Sequence, residues 1–370
     1  MAGLYFHIPF CKRICGYCDF FRVADLRLVE SAVMAMHAEM DEQRDFMEDC
    51  KIRTIYFGGG TPSLLPPSEV QAFVDHAAEL WDCTDVEEVT LEANPDDITD
   101  EYVAALRKTA VNRVSLGVQS FDDAELRFMN RRHTAAGAVD AVRRLQKAGI
   151  SNITVDLIFG VDGFGEDVVA HNLEQVLALG VQHVSAYHLT IEPNTTFGRR
   201  LQRGEMREVS ESVSEREYAL IDSVLTAAGY EHYEVSNYAR EGFRSRHNSS
   251  YWHGAQYLGI GVGAHSYNGR VRRWSPQTVG EYCLAREYEV DVLTERDHFN
   301  EYVMTNLRCA EGVDLEYIKS HFGAAAYEKV MRGARRWVSS GDMVGEGGRL
   351  RIRVGKFLIS DAIIESLFEV

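Results

Sequence analysis

Hydrophobic and polar positions follow one recurring pattern along the first two-thirds of the chain: a β-rich run, a turn and an amphipathic helical stretch. The runs that predict strands are residues 3–8, 53–58, 88–92, 113–119, 153–159, 183–189 and 231–235. Helical stretches include 28–47, 134–148, 166–179 and 214–228, and the last three stop just before a glycine. Alternating strands and helices predict an α/β fold with a parallel sheet. We expect a partial or complete (β/α) barrel, with an open doubly wound sheet as the alternative.

The pattern changes near residue 240. Residues 243–269 are rich in Gly, Ser, Asn and His, and the chain becomes mostly helical from about residue 295. The helical stretches there are 297–308, 314–322, 324–339 and 360–368, with a strand pair around the glycine-rich turn 345–348. Helices followed by a hairpin predict a winged-helix-like arrangement. We therefore divide the chain into a barrel core (1–240), a linking segment (241–294) that also holds a candidate binding motif, and a smaller C-terminal domain (295–370).

Composition narrows the class of protein. The chain has 370 residues, with 39 Lys and Arg against 56 Asp and Glu, which gives a net charge of −17. Such an acidic chain does not fit a nucleic-acid binder, which needs a basic surface. Seven cysteines, an odd number, do not form a disulfide framework and favour a reducing compartment. Without a recognisable secretory signal or a long apolar run, we expect a cytoplasmic protein.

Polar residues and glycines stand where successive predicted strands end. They are Gly58–Thr61, Glu92, Gln119, Asp156 and His188. Carboxyl ends of parallel strands meet at one edge of the sheet, where active sites of α/β proteins collect. The alternative is that strand ends simply become polar where they meet solvent. Five successive cases favour a functional site.

Three cysteines cluster directly after the first strand, in the spacing Cys11-x-x-x-Cys15-x-x-Cys18. Three thiolates this close in sequence can face one centre if the chain loops around it, and Gly16 permits such a loop. Three cysteines would hold a 4Fe–4S cluster and leave one iron open for another ligand. The alternatives are a zinc site that borrows a distant histidine and free buried thiols.

The glycine triplet at 58–60 follows this cysteine loop one β/α unit later. Together the two motifs resemble those of the radical S-adenosylmethionine (SAM) family. Further segments match its coproporphyrinogen-oxidase-like branch, including Thr-Leu-Glu-Ala-Asn-Pro at 90–95 and Leu-Thr-Ile-Glu-Pro-Asn at 189–194. One segment departs: the branch usually has Gly-Leu-Pro-Gly after the fifth strand, where this chain has Gly160-Val-Asp-Gly163. The resemblance implies a radical-SAM-type partial barrel, a 4Fe–4S cluster on the three cysteines, and SAM on the open iron.

The resemblance also implies which residues surround SAM. They are Tyr5, Tyr17, Gly59, Gly60, Thr61, Glu92, Gln119, Arg131 and Asp156. Their chemistry agrees, because carboxylates can accept ribose hydroxyls and an arginine can pair with the methionyl carboxylate. For Arg131, a surface salt bridge remains an equal alternative on sequence alone.

Two features distinguish groups within the branch. The decarboxylating oxidases of heme synthesis typically have a fourth cysteine two places after the third, where this chain has Phe20. The segment His-Asn-Ser-Ser-Tyr-Trp at 247–252 resembles the H-N-x-x-Y-W signature of a heme-chaperone group. That resemblance implies heme binding with His247 as the leading iron ligand and His253 and His265 as rivals. From the residues alone, a turn capped by His247 and Asn248 and anchored by Trp252 is favoured.

We therefore expect a heme chaperone that carries a cluster, SAM and heme and delivers heme to an apo-hemoprotein. The expected partners are heme, that recipient (for example a membrane-bound respiratory enzyme), an electron-donor protein and a second copy of the chain. The alternative is an oxygen-independent coproporphyrinogen III oxidase, and a third hypothesis is another radical enzyme that acts on a tetrapyrrole. Whether the chain catalyses a reaction at all stays open at this stage.

Overall fold

The computed structural model describes residues 2–48 and 51–369, so Cys50 lies outside the described residues. Six parallel strands form the centre of a large sheet. They are β1 (Ala2–Ile8), β2 (Ile52–Gly59), β3 (Glu88–Ala93), β4 (Arg113–Gln119), β5 (Ile153–Phe159) and β6 (His183–His188). A seventh, β7 (Glu231–Glu234), lies at one edge, beyond β8 (Asn237–Ala239). All seven predicted strands are confirmed, each within one residue at either end.

Helices connect the strands and cover the sheet. They are α1 (Val29–Glu42), α2 (Pro67–Leu80), α3 (Asp100–Leu106), α4 (Asp123–Phe128), α5 (Ala135–Lys147), α6 (Glu166–Leu179), α7 (Thr196–Gln202) and α8 (Glu211–Ala227). Helix α5 shows why they form: the Thr134 hydroxyl accepts a bond from Gly137 N, and the helix buries an apolar stripe against the sheet. Helix α1 ends five residues before the predicted bound, at Glu42, because the chain turns so that Phe46 packs beneath the Arg273 guanidinium, 3.7 Å from its ring centre.

Residues 241–294 are not a linker, and that prediction is corrected. After α9 (Arg246–Trp252), they contribute β9 (Gln256–Ile260), β10 (His265–Tyr267), β11 (Val271–Trp274) and β12 (Glu289–Val292), with α10 (Val279–Leu284) before the last. Strand β9 pairs in parallel with β1, and β10 to β12 extend the same sheet in antiparallel fashion. These strands have three to five residues and are interrupted by glycines, so their periodicity is too short to recognise.

The strand order β12-β11-β10-β9-β1-β2-β3-β4-β5-β6-β8-β7 leaves β12 and β7 at the two edges. The α/β class with a large parallel sheet is therefore confirmed. The sheet buries residues from both faces of β1, with Leu4 and Phe6 on one face and His7 on the other, as expected for a parallel strand between two layers. Within the described part of the chain, no helix combines the length and hydrophobicity that a membrane span requires.

The C-terminal part combines helices with a small antiparallel sheet, in agreement with the prediction. Its elements are α11 (Glu295–Leu307), β13 (Val313–Asp314), α12 (Leu315–Tyr317), α13 (Ala324–Ser340), β14 (Met343–Glu346), β15 (Arg349–Ile352) and α14 (Ser360–Glu365). The predicted helix 314–322 continues beyond α12 only as one π-helical turn at Ile318–Phe322. Backbone bonds from Val235 N to Arg308 O and from Ala310 N to Tyr233 O join this part to the edge of the large sheet.

One buried carboxylate ties α1 to the segment that follows α9. Glu39 is 1% exposed and accepts bonds from Gly261 N at 2.7 Å and from the hydroxyls of Tyr282 and Tyr288 at 2.5 and 2.6 Å. Gly261 directly follows β9, and Tyr282 lies on α10. Because these bonds are buried, the carboxylate fixes how β9 and α10 sit beside α1 and hence beside β1.

We expect Glu39→Ala to lower the free energy of unfolding by about 3 kcal/mol, because it leaves three buried donors without their acceptor. Urea denaturation at constant slope measures this loss. Glu30→Ala, at an exposed position of the same helix, is the control and should change the free energy by less than about 0.5 kcal/mol. Equal losses in the two variants would contradict the structural role of Glu39.

Candidate functional site

A cavity of about 460 Å³ opens at the carboxyl edge of β1 to β6. This volume is within the usual range for a small-molecule site. Of the residues predicted for the site, all but Tyr5 and His247 line it: Cys11, Cys15, Tyr17, Cys18, Gly59, Gly60, Thr61, Glu92, Gln119, Arg131 and Asp156. Residues separated by up to 145 positions therefore meet at one place because parallel strands bring their carboxyl ends together.

The loop after β1 holds the three cysteines at the cavity wall. Cys11 N donates to Val23 O at 2.9 Å, which closes the loop at its base. Gly16 lies where a side chain would come within 2.6 Å of the Phe197 ring, so this position accepts glycine alone without displacement. Gly16 N donates to Met129 O and Gly16 O accepts from Phe197 N, which fixes the loop against α4 and α7.

The donor set fits an iron–sulfur cluster better than a single metal ion. Among the residues that the structure describes, no group of three or more His, Cys, Asp or Glu side chains is arranged to hold one ion. The three thiols nevertheless line the same cavity. In a cubane cluster each cysteine binds a different iron, so the ligands stand further apart than around one ion. The three thiols on one cavity wall are the ligands that a cluster with one open iron needs.

Two polar side chains contact the thiols directly. Thr61 Oγ1 donates to Cys11 Sγ at 3.4 Å, and Arg131 Nη1 donates to Cys15 Sγ at 3.2 Å. Arg131 Nη2 also donates to Asn94 Oδ1 at 2.6 Å and bonds the carbonyl oxygen of Gly117. Arg131 is thus no surface ion pair. Its guanidinium places a fixed positive charge beside a thiol, where it would offset negative charge on a bound cluster.

The glycine triplet lets the backbone approach its neighbours closely. Gly59 has φ of +106°, and a Cβ there would lie 2.6 Å from the His7 ring. A Cβ on Gly60 would lie 2.8 Å from the carbonyl oxygens of Ile8 and Phe10. Since the first position needs a left-handed conformation and the second leaves no space for a side chain, the segment presents bare backbone to the cavity.

Two carboxyl groups face the cavity with raised pKa values. Burial raises the pKa of Glu92 to about 7, although Tyr56 Oη donates to its Oε1 at 2.7 Å and Gly59 N to its Oε2 at 3.2 Å. Burial likewise raises the pKa of Asp156 to about 6, with the Ser115 hydroxyl 3.3 Å from both of its oxygens. Near neutral pH these groups can accept hydrogen bonds from a ligand or give up a proton.

Backbone strain is concentrated at this site. Gln119 and Asn130 are the two non-glycine residues in the described chain with positive φ, at 70° and 62°. Gln119 ends β4 beside a register shift and lines the cavity. Asn130 precedes Arg131, and its Nδ2 donates to Ile14 O at 2.8 Å, within the cysteine loop. Non-glycine residues hold such conformations where the surroundings enforce them, often at functional sites.

Sequence reasoning missed several residues of the cavity wall. Asn94, Ser115 and Tyr187 line it but were not selected. Asn94 directly follows β3, and Tyr187 is the second-last residue of β6. The expectation that polar residues at strand ends form the site therefore could have identified both. Arg22 lies four positions after Cys18 and bonds the carbonyl oxygens of Phe20 and Cys18. Nothing in its spacing distinguishes it from a solvated arginine.

His247 does not reach the cavity. It lies inside the barrel near the start of β1 and β2, is 1% exposed, and has both ring nitrogens engaged. Nδ1 is 2.8 Å from Thr54 Oγ1, and Nε2 is 2.7 Å from Tyr251 Oη. In this arrangement neither nitrogen is available to a heme iron, so the structure does not favour His247 as the ligand. Its burial and its bond to Thr54 on β2 come from the tertiary structure, which the sequence motif does not reveal.

The other residues named in the H-N-x-x-Y-W segment and its neighbours contact the protein in different ways. Ser245, not His247 or Asn248, caps α9, accepting from Asn248 N at 3.4 Å. Trp252 packs at the junction with the C-terminal part, where the Arg308 guanidinium lies 5.8 Å from its ring. The anchoring role expected for Trp252 therefore agrees with the structure. His253 is exposed, with Nδ1 2.6 Å from Ser249 O.

His265 is exposed at the start of β10, next to the cysteine loop. Its ring stacks on Trp274, with centroids 5.4 Å apart and planes 19° from parallel. Two residues earlier, a Cβ on Gly263 would lie 3.1 Å from Phe21 Cβ. Phe20 and Phe21 are 68% and 37% exposed, which is unusual for side chains of this size. We call His265, Trp274, Phe20 and Phe21 the rim patch.

Comparison with known proteins places this chain among named relatives. Residues 5–176 match the radical SAM superfamily. The heme chaperone HemW of Lactococcus lactis is 39% identical over 330 residues, which cover 88% of this chain and 86% of that protein. The heme chaperone HemW of Mycobacterium tuberculosis is 33% identical over 99% of this chain and 94% of that protein.

A solved structure shares the fold. Coproporphyrinogen III oxidase (HemN) from Escherichia coli, a radical SAM enzyme, aligns with a TM-score of 0.84 at 20% identity, covering 99% of this chain and 90% of that one. At this identity the likeness concerns architecture only. The HemW relatives, by contrast, share a third or more of their residues with this chain over most of its length. The chain therefore belongs to the radical SAM superfamily, in the group of the HemW proteins.

Proposed function

We propose that this protein is a heme chaperone that carries a 4Fe–4S cluster and SAM in the cavity and delivers heme to apo-hemoproteins. The observation that carries the proposal is the convergence of three cysteine thiols, the Arg131 guanidinium and the bare backbone of Gly59 and Gly60 on one cavity. Family membership implies the cluster and SAM, and the relatives' names supply the heme function. On this proposal the protein acts in porphyrin metabolism in the cytoplasm.

The residues divide into those that hold the cluster and those that hold SAM. Cys11, Cys15 and Cys18 would bind three irons and leave the fourth open. When bound, the cluster supplies an electron and a site for the methionyl group of SAM. The backbone at Gly59 and Gly60 can bond that group, while Arg131 can pair with its carboxylate. Glu92 and Asp156 can accept the ribose hydroxyls, and Gln119 and Tyr17 would close the cavity around the nucleoside.

For heme we propose the rim patch, with His265 as iron ligand instead of His247. Although part of the ring is exposed, its partial desolvation and the nearby positive charge of Arg272 lower the pKa of His265, which keeps the imidazole neutral and able to bind iron near neutral pH. Phe20 and Phe21 are exposed and Trp274 is half-buried, and together they offer the aromatic surface that a flat macrocycle needs. Phe20 also lines the cavity, so heme there would lie beside the cluster loop. An apo-hemoprotein, such as a membrane-bound respiratory enzyme, would take heme from this open surface.

Cys15→Ser should abolish the visible absorption of the cluster after anaerobic reconstitution, because one iron loses its thiolate. Iron and sulfide content should fall with it, while circular dichroism stays as in the wild type. Cys283→Ser, at a half-buried cysteine of α10, is the matched control and should load normally. Full iron and sulfide content in Cys15→Ser would remove the basis for the cluster assignment.

A heme titration followed by the Soret band tests the heme surface. We expect His265→Ala to weaken binding by at least roughly tenfold through loss of the iron ligand, while His171→Ala, an exposed histidine of α6, binds as the wild type does. If only His253→Ala weakens heme binding, the iron ligand is His253, at the end of α9. If no protein binds heme, the chaperone proposal fails, and turnover of coproporphyrinogen then tests the oxidase alternative.

A further inference from the structure

The rings around His247 form one continuous stack inside the barrel. We call His247, Tyr56, Tyr5 and Tyr251 the interior stack. The His247 ring lies 4.9 Å from Tyr56 and 6.4 Å from Tyr5, with planes 25° and 26° from parallel, and Tyr251 meets it edge-on at 4.9 Å. Tyr5 and Tyr56 stack on each other at 6.0 Å. The stack begins at α9, beside the amino-terminal parts of β1 and β2, and runs towards the cavity.

The stack ends on the groups that face SAM in the proposed site. Tyr56 Oη donates to Glu92 Oε1 at 2.7 Å, and Glu92 Oε2 accepts from Gly59 N at 3.2 Å. A Cβ on Gly58 would touch three of these groups, Tyr5 and Tyr56 at 2.9 Å and Glu92 at 3.1 Å. Two contacts thus lead from the His247 ring to a carboxylate and a backbone amide of the cavity.

Two hydrogen bonds fix the plane of the His247 ring. Thr54 on β2 bonds Nδ1, and Tyr251 on α9 bonds Nε2, while burial lowers the pKa of His247 to about 3 and keeps the ring neutral. A neutral imidazole with a hydrogen-bond partner on each nitrogen is held in one orientation. The ring is therefore a rigid surface against which Tyr56 packs, and it limits where the Tyr56 hydroxyl can point.

We propose that His247 is a positioning residue for the SAM site, acting through Tyr56 on Glu92 and Gly59. This inference rests on the proposed SAM site. On this proposal the histidine of the H-N-x-x-Y-W motif acts in nucleoside binding. Its ring holds Tyr56 in place, and Tyr56 orients the Glu92 carboxylate that binds the ribose. Removing the ring leaves a cavity beside Tyr56, so the hydroxyl gains freedom and its bond to Glu92 weakens.

The test measures SAM affinity by equilibrium binding to cluster-loaded protein in the wild type, His247→Ala, Tyr56→Phe and the double variant. We expect each single change to weaken binding by about tenfold and the double variant to be no weaker than the worse single one, because both act through one contact. His171→Ala is the matched control and should bind as the wild type does. Additive losses would show that His247 and Tyr56 act separately and would overturn the inference.

The pH dependence of SAM affinity gives a second readout that a loss of packing alone would not move. Affinity should rise with pH as Glu92 ionises near pH 7, because the carboxylate is the form that accepts ligand hydroxyls. The Tyr56 bond lowers the pKa of Glu92, so Tyr56→Phe and His247→Ala should both move the rise to higher pH relative to the wild type. Titration of SAM itself is common to all variants and cancels in this comparison.

The outcomes separate this inference from the proposed function. If cluster-loaded wild type does not bind SAM, the SAM site itself fails. If the wild type binds SAM and His247→Ala binds it equally well, only the positioning role fails. Loss of heme affinity in His247→Ala with unchanged SAM affinity would also overturn it and return His247 to the heme site. Should His247→Ala not fold, Tyr251→Phe, which removes only the hydroxyl bonded to Nε2, must show the same shift of the pH profile.

Discussion

The parallel pairing of β1 on both of its sides is the constraint on which the rest of the structure depends. Strand β2 pairs with one side from Ala2 to Ile8, and β9 pairs with the other side from Ala2 to Phe6. The cysteine loop leaves the carboxyl end of β1, and Tyr5 of the same strand belongs to the interior stack. A strand held on both sides cannot slip, because a shift of one residue would exchange its two faces. The thiols and the interior stack are therefore positioned by the same backbone hydrogen bonds.

Much of this arrangement could be predicted from local pattern. Strands such as β4 and β5 are short β-rich runs between turn and helix signals, and their predicted bounds are the observed ones. Gly59, Glu92 and Gln119 converge because each is the last or second-last residue of a parallel strand, and Asp156 joins them from within β5, three residues before its end. Local spacing also identified the cysteine trio. These features share one property: the information lies within about ten consecutive residues.

Features that depend on contacts between distant residues could not be read in this way. The segment after residue 240 forms strands only because β9 finds β1, more than 250 positions earlier in the chain. Its composition resembles a loop, and the pairing supplies what intrinsic propensity does not. His247 shows the same limit for a side chain. The motif around it indicates a functional histidine, but its bonds to Thr54 and Tyr251 and its burial, which decide what it can bind, come from the tertiary structure.

The segment from α9 to β11 connects two kinds of chemistry. Helix α9 brings His247 beneath the groups that would hold SAM, and β10 and β11 bring His265 and Trp274 to the surface beside the cysteine loop. Between them, β9 pairs with β1, and Glu39 locks its end at Gly261. If α9 moves, the movement reaches β10 and β11 only through β9, unless the glycines that flank β9 absorb it. If SAM binding favours one position of this segment, it changes the free energy of heme binding at the other end. By thermodynamic linkage, heme binding then changes the affinity for SAM by the same factor. Because a chaperone must hold heme and also release it, a link of this kind between the proposed nucleoside site and the proposed heme surface would serve that role without chemical turnover of the heme.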